Sequence, residues 1–424
     1  MRQGISVEEA WESVRGFCRP LPGEIVPLFE ALGRCLTESV VSSRQLPPAA
    51  CSAMDGYAVR PDELAGASAS TPVQLPVAFE VAAGARLPNL LQPGEAARIF
   101  TGAPVPEGCG AVVKQEDTQR EGDHVRIELC PAAGENIRAA GEDVEIGDKV
   151  LSAGALIGPA QTGVLASLGR SRVAVHRRPR VAILSGGDEL VEIDGDVSGG
   201  RIVASNAYML WAACRQLGAE PYSLGIASDR PESVERQFRA ALSADCIVST
   251  AGVSVGDHDH VRPVLEKLGC GLEFWGVRMK PGYPLAFGGF HPTAAAGESA
   301  GPLVFGLPGN PVSASVCFEQ FVRPALRLMM GRQDLFRPRL RARVPDGMRK
   351  KPGRLHFVRV TLEQADGEWV ARSTGNQSSG VMTSMTRADA LLIFPEEASE
   401  IAPGATALVQ VLDDGFFDPA EAGF

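Results

Sequence analysis

Positive charge is in deficit in this 424-residue chain: 41 lysines and arginines face 51 aspartates and glutamates, a net charge of −10. Such a chain has no overall field to collect phosphates. This excludes a general nucleic-acid binder and means that any anion is held by local features. Disulfide patterning is missing too. The nine cysteines, at 18, 35, 51, 109, 130, 214, 246, 270 and 317, are odd in number and no two lie three apart. Neither a disulfide framework nor a zinc knuckle is expected, and a reducing, cytoplasmic setting is. No apolar run approaches ~20 residues, so no membrane span is expected. The opening stretch MRQGISVEEAWESVRG lacks the apolar core region and cleavage site of a signal peptide. HExxH and the P-loop signature GxxxxGK followed by Ser or Thr are both absent, leaving zincin and P-loop chemistry without support.

What is present is a core-forming composition. Hydrophobic residues make up 45% of the chain and charged residues 22%, normal for buried cores, and the length suggests two to four units. Glycine (47) and proline (31) exceed the usual share without a Gly-X-Y period, which implies many turns. Residues 1–45 read as helical and connecting, with Ser6 capping a helix that carries Val7, Ala10, Trp11 and Val14 on one face. Residues 46–137 hold short β-type runs between turn signals, a small β domain. Residues 138–178 add a β-like stretch and a short helix, expected to pack with 1–45 as a connecting domain. From 179 to 329 strands alternate with helices and end in loops, the pattern of a doubly wound, mostly parallel α/β sheet. Residues 330–424 revert to β, as in a small barrel or sandwich.

Two of the α/β loops suit an anion. Asp245-Cys-Ile-Val-Ser-Thr250 runs into Ala251-Gly-Val-Ser-Val-Gly256-Asp257 and then a helix. Small residues such as Gly252, Ser254 and Gly256 let backbone N–H groups approach an oxyanion, and Thr250 and Ser254 add hydroxyls. Gly306-Leu-Pro308-Gly309-Asn310-Pro311 also follows a strand and opens a helix, with Ser313 near its start. Lys280, in Met279-Lys280-Pro281-Gly282, offers a neutralising charge. Asp257-His258-Asp259-His260 reads either as the polar first turn of a helix or as a site where Asp259 meets a phosphate-bridging Mg²⁺. Asp55, Thr101, Asp143 and Glu189 fall in loops where an acid or hydroxyl is otherwise a turn device.

Taken in order, SAMDGYAV, FTGAPVPEG, NIRAAGEDV, SGGDEL, GVSVGDHD, MKPG and GLPGNPVSA resemble the MoeA family of molybdopterin molybdenumtransferases, which includes the gephyrin E domain. The resemblance covers nearly the whole chain. It implies four parts: a helical/β connecting domain, a small β domain, a doubly wound α/β molybdopterin-binding domain and a C-terminal β-barrel-like domain. It implies an elongated homodimer, with the site between the α/β domain of one chain and the small β domain of the other. It also implies insertion of molybdate into adenylylated molybdopterin, with Mg²⁺-dependent release of AMP. The adenylyltransferase that makes the substrate and the acceptor molybdoenzymes are the implied protein partners. By motif, Asp55, Asp143, Glu189, Asp259 and Lys280 become catalytic candidates, with Glu189 and Asp259 as metal ligands. Thr101, Arg138, Thr250, Gly252, Ser254, Gly256, Pro308, Gly309, Asn310, Ser313, Arg354, Ser378 and Ser384 become substrate-binding candidates. The chain departs from the family pattern at Ala50-Cys51, Ala204, Ala251, Gly276 and Tyr283, which removes an acid and up to two cations. An alternative reading is therefore a catalytically weakened paralogue that binds molybdopterin or a protein partner. A lone adenylyltransferase is disfavoured, because that single-domain enzyme carries neither SAMDGYAV nor the C-terminal β part.

Overall fold

The computed structural model describes residues 1–86, 89–250, 260–290, 301–413 and 415–417. The chain forms two compact units, one of Met1–Ile25, Gly33–Thr37 and Ala174–Phe424, the other of Val26–Leu32 and Glu38–Val173.

In the first unit the α/β expectation is met by a seven-stranded sheet. Its order is Arg2–Ile5, Cys270–Val277, Ala286–Phe290, Leu303–Gly306, Cys246–Ser249, Arg180–Gly186, Glu220–Ala227. All neighbours pair in parallel except Ala286–Phe290, which is antiparallel to both of its own. The central strands are apolar throughout because both faces are covered. Val181 and Ile183 enter one core cluster, and Ala182 and Leu184 enter the other, the period-two division of a strand between two layers. Helix Ser205–Leu217 and the run Pro311–Cys317, Phe318–Val322, Arg323–Met329 cover the first face. Helices Pro231–Ala241 and Val261–Lys267 cover the second.

The sequence reading groups residues 1–45 with 138–178, but Arg2–Ile5 is an edge strand of the α/β sheet, parallel to Cys270–Val277. Helix Val7–Phe17 follows and buries Ala10 and Val14 in the same core. Its start is reciprocal: Glu9 N–H donates to the Ser6 hydroxyl (3.1 Å) while Ser6 N–H donates to the Glu9 carboxylate (2.7 Å). A four-residue strand reading RQGI has no hydrophobic alternation of its own; only the sheet edge defines it.

The C-terminal part closes into a five-stranded barrel. Leu355–Ala365 pairs with both Glu368–Ser373 and Ala390–Phe394, and the circle runs on through Ala405–Val411 and Arg339–Val344 back to Glu368–Ser373. Closure removes the open edges that a small sheet would otherwise expose. Val344, Val360, Ala371, Leu392 and Val409 fill its interior. Met279–Lys280 adds to this barrel, pairing in parallel with Leu355 and His356.

The second unit has its own six-stranded sheet, ordered Ala111–Lys114, Gly56–Val59, Ala96–Ile99, Val73–Val81, His124–Ile127, Thr118–Glu121. It also has the two-stranded pairings Cys51–Ser52 with Ile137–Arg138 and Val40–Val41 with Lys149–Leu151, and helix Pro159–Ser167. Gly56 sits between two paired strands, and a Cβ there would collide with the Val113 carbonyl oxygen. Among the described residues, no helix is long and apolar enough to cross a membrane, and none of the nine cysteines is bonded to another.

Candidate functional site

Strand register brings the α/β loops to one edge. Leu184 pairs with Ser249, and Ser249 with Gly306, so the loops after these strands leave the sheet side by side. Described residues at these strand ends line a cavity of about 710 Å³: Ser185, Gly186, Glu189, Ser205, Asn206, Thr250, Gly309, Asn310, Pro311 and Gly380, among others. This is where an open α/β sheet is expected to hold a ligand. Gly187 adopts φ +137°, and a Cβ there would collide with the Glu189 carboxylate. The glycine is what lets that carboxylate fold back. Asn206 Nδ2 donates to the Gly309 carbonyl (2.7 Å), tying two loops together. Among the described residues the buried Asn206 Oδ1 atom has no hydrogen-bond partner, an open acceptor in the cavity wall. Thr250 is buried and donates its N–H to the Leu184 carbonyl (2.9 Å). Pro308 and Ser313 are buried around the start of helix Pro311–Cys317, for which Asn310 is the N-cap. Gly252, Ser254, Gly256 and Asp259, like Ala251, lie outside the described residues.

A second cavity, of about 750 Å³, lies where the Lys280 segment meets the barrel. Its walls include Lys280, Arg349, Lys350, Lys351, Arg354, His356 and Arg359. So many cations around one concavity give it a positive local field. His356 registers the field: burial first, then the charges of Lys350, Lys280 and Arg354, push its pKa down to about 4, so it is neutral at pH 7. Lys350 Nζ donates to the carbonyls of Arg354 (3.0 Å) and Glu396 (2.9 Å), and burial lowers its pKa. Arg359 is 1% exposed. It donates to the Ser384 hydroxyl (3.1 Å) and to the carbonyls of Asn376 (3.3 Å) and Ser378 (3.1 Å), holding the Asn376–Ser378 loop.

Of the candidates from the C-terminal part, Arg354 lines this cavity and Ser378 is exposed at its loop. Ser384 differs from expectation. It is buried, accepts from Arg359 and donates to the Val381 carbonyl (2.6 Å), so its hydroxyl is spent inside the protein. Arg349, Lys350, Lys351, His356 and Arg359 were missed by sequence reasoning. The run Arg349-Lys350-Lys351 just before Arg354 was the available signal.

The departures at 276 and 283 form one packing unit. Gly276 has φ +82°, which disfavours any side chain, and a Cβ there would lie 3.3 Å from the Tyr283 ring. The Tyr283 ring packs edge-on to Trp275, with centroids 5.7 Å apart, and the Arg354 guanidinium lies 4.6 Å from its centroid. The aromatic ring thus holds the Arg354 cation against position 283.

In the second unit Asp55 and Thr101 meet. Asp55 Oδ1 accepts from Thr101 N–H and from its hydroxyl, both at 2.7 Å. The backbone bond first, then the hydroxyl, holds the Asp55 carboxyl below its ordinary range. Arg138 pairs across from Cys51, and its Nε donates to Glu142 (3.3 Å). Asp143 is exposed, with its N–H bonded to the Leu46 carbonyl (2.9 Å), and lines a separate cavity of about 610 Å³. Because the folded pKa of Asp55 is depressed, its contribution to stability is present above its unfolded pKa and is lost as pH falls through the folded value. Thr101→Val should therefore destabilise this unit at pH 7 and converge with the wild type at strongly acid pH. Urea unfolding at both pH values checks this, and an equal gap at both would contradict it.

Residues 5–169 match the MoeA N-terminal region (domain I and II), 182–328 a probable molybdopterin binding domain, and 341–412 the MoeA C-terminal region (domain IV). The chain belongs to the MoeA family. It is 39% identical over 389 residues to the molybdopterin molybdenumtransferase of Nostoc sp., covering 91% of this chain and 88% of that one. It is 35% identical to the Haemophilus influenzae protein of the same name, covering 92% and 94%. The solved molybdopterin biosynthesis MoeA protein of Pyrococcus horikoshii superposes with a TM-score of 0.81 at 29% identity, over 97% of this chain and all of that one.

Proposed function

We propose that the chain is a transferase of molybdenum cofactor biosynthesis, which inserts molybdate into adenylylated molybdopterin and releases AMP in a Mg²⁺-dependent step. The observation that carries this is the pairing, in one unit, of a strand-end cavity suited to a diphosphate with a lysine- and arginine-lined cavity suited to an oxyanion. In the first cavity the loop at Gly309-Asn310 offers its backbone to phosphate oxygens beside Thr250 and Glu189, and Gly252, Ser254 and Gly256 are assigned there from the motif. In the second, Lys280 and Arg354 attract molybdate and hold it while charge moves onto the leaving phosphate. Neutral His356 accepts or donates one hydrogen bond without adding charge.

Among the described residues no cluster of three or more metal-ligating side chains occurs, and Glu189 is the carboxylate lining the strand-end cavity. One or two carboxylates together with substrate phosphates are a normal Mg²⁺ shell, so Glu189, with Asp259 by motif, fits the ion. When bound, Mg²⁺ would neutralise charge on the diphosphate. Asp55 and Asp143 complete the proposed acidic set. Homodimerisation, a cytoplasmic setting, and exchange with the adenylyltransferase and acceptor molybdoenzymes belong to the same proposal. No observation favours the weakened-paralogue alternative: Gly276 and Tyr283 leave Lys280 and Arg354 in the cavity wall.

Incubating the protein with adenylylated molybdopterin, Mg²⁺ and molybdate should release AMP, with a rate that saturates in molybdate. Tight binding of the nucleotide with no AMP at any molybdate concentration would refute the enzymatic reading.

A further inference from the structure

Arg354 lines the basic cavity, yet little around it would keep its side chain there. The residue is exposed and follows Gly353, which has φ +96°. Its backbone is tied down. The Arg354 carbonyl accepts from Lys350 Nζ (3.0 Å), and the N–H of the next residue, Leu355, donates to the Arg278 carbonyl (2.9 Å). The side chain is not. Among the described residues its guanidinium has no hydrogen bond and no carboxylate partner. The neighbouring charges also oppose it. Lys350, Lys280 and Arg354 all act on the one imidazole of His356, so three like charges crowd one wall. A free arginine in that position would swing out to solvent, and a ligand would have to bring it back at a cost in side-chain entropy.

The group that counters this is the Tyr283 ring, whose centroid lies 4.6 Å from the guanidinium carbon. An aromatic face attracts a guanidinium through its quadrupole, and the planar arginine head stacks on it. The ring is itself fixed. The Tyr283 carbonyl accepts from Val277 N–H (2.9 Å) and Leu285 N–H (2.8 Å). Trp275 packs against the ring, and the missing side chain of Gly276 leaves room for it. Tyr283 is half-buried and is not part of the cavity wall. Its hydroxyl makes no hydrogen bond among the described residues.

We propose that Tyr283 is a positioning residue of the oxyanion cavity, its ring face holding the Arg354 guanidinium toward bound molybdate. The inference rests on the oxyanion role proposed above for that cavity and adds to it a residue outside the cavity wall. A carboxylate could hold an arginine as firmly, but it would cancel the charge that the oxyanion needs and would repel the ligand. A neutral ring orients the cation and leaves its charge available.

The test is the binding of molybdate to the full chain, followed by calorimetry with no nucleotide present. Tyr283→Leu should weaken binding about fivefold, the usual scale of one such contact. Tyr283→Phe should stay within twofold of wild type, because it keeps the ring. Replacing Tyr283 with pentafluorophenylalanine keeps the ring's shape but reverses the sign of its face, so it should weaken binding as leucine does. That variant keeps the test intact if Tyr283→Leu misfolds. In an Arg354→Gln background, adding Tyr283→Leu should change the affinity less than twofold, because the ring then has no cation to hold. Wild-type affinity in Tyr283→Leu or in the fluorinated variant overturns the proposal. An equal loss with and without Arg354 does so too, since the ring would then be packing alone. A wild type that binds no molybdate sinks the cavity's oxyanion role and the proposal together. The expected ring dependence in a protein that releases no AMP upholds the role of Tyr283 and sinks the transferase reading.

Discussion

Lys280→Met is expected to lower molybdate-dependent AMP release at least about a hundredfold, the usual cost of removing one preorganised charge or donor that stabilises a transition state. Lys280 is fixed by backbone pairing with His356 on the barrel strand, and this pairing survives the substitution. Gly282, two residues on, has φ +107°, and a Cβ there would meet the Cys317 sulfur at 2.7 Å. The turn that aims Lys280 is thus set by glycine and backbone, and the variant should fold normally. A second readout is independent of turnover. The Lys280 charge is one cause of the depressed His356 pKa, so in the variant that pKa should rise above about 4. In the wild type, a bound oxyanion should raise it too, because a negative charge favours imidazolium. Histidine NMR titration with and without molybdate checks both shifts. A full rate with an unmoved His356 would remove Lys280 from the site.

Arg359→Met should lower the stability of the first unit by about 3 kcal/mol, since it removes three hydrogen bonds made by a buried cation and leaves the buried Ser384 hydroxyl without its donor. The acceptors are the Ser384 hydroxyl and the Asn376 and Ser378 carbonyls. Gln377 also bonds to the backbone of Arg359 at both N–H (2.9 Å) and carbonyl (3.0 Å), so strand and loop are held together. Arg359→Lys should recover less than half of the loss, because an ammonium cannot reproduce the planar fork. Urea unfolding measures both variants. A drop below about 1 kcal/mol in Arg359→Met would show that solvent replaces the bonds.

Several site features were visible in the chain because they are local. Asp55 sits in a turn that Ser52 closes with its own hydroxyl, donated to the Met54 carbonyl (2.6 Å). The loops after Arg180–Gly186 and Leu303–Gly306 follow apolar strands whose burial is written in consecutive residues. The basic cavity was not visible, because its members come from segments some 70 residues apart in sequence, joined only when Met279–Lys280 pairs with Leu355–Ala365. Ser384 looked like a ligand group in sequence; in three dimensions its proton goes to the Val381 carbonyl.

Legible in the chain alone were the family, the α/β core with a barrel after it, and the glycine-rich loops that follow its strands. Hydrophobic period, glycine and proline placement and motif order are short-range properties that a chain carries along its length. Tertiary structure alone decided that residues 2–5 become a sheet edge and that Gly276, Tyr283 and Arg354 form one packed group. Strand partners and side-chain convergence depend on register between distant segments, and no single segment encodes its register without the surface it pairs with.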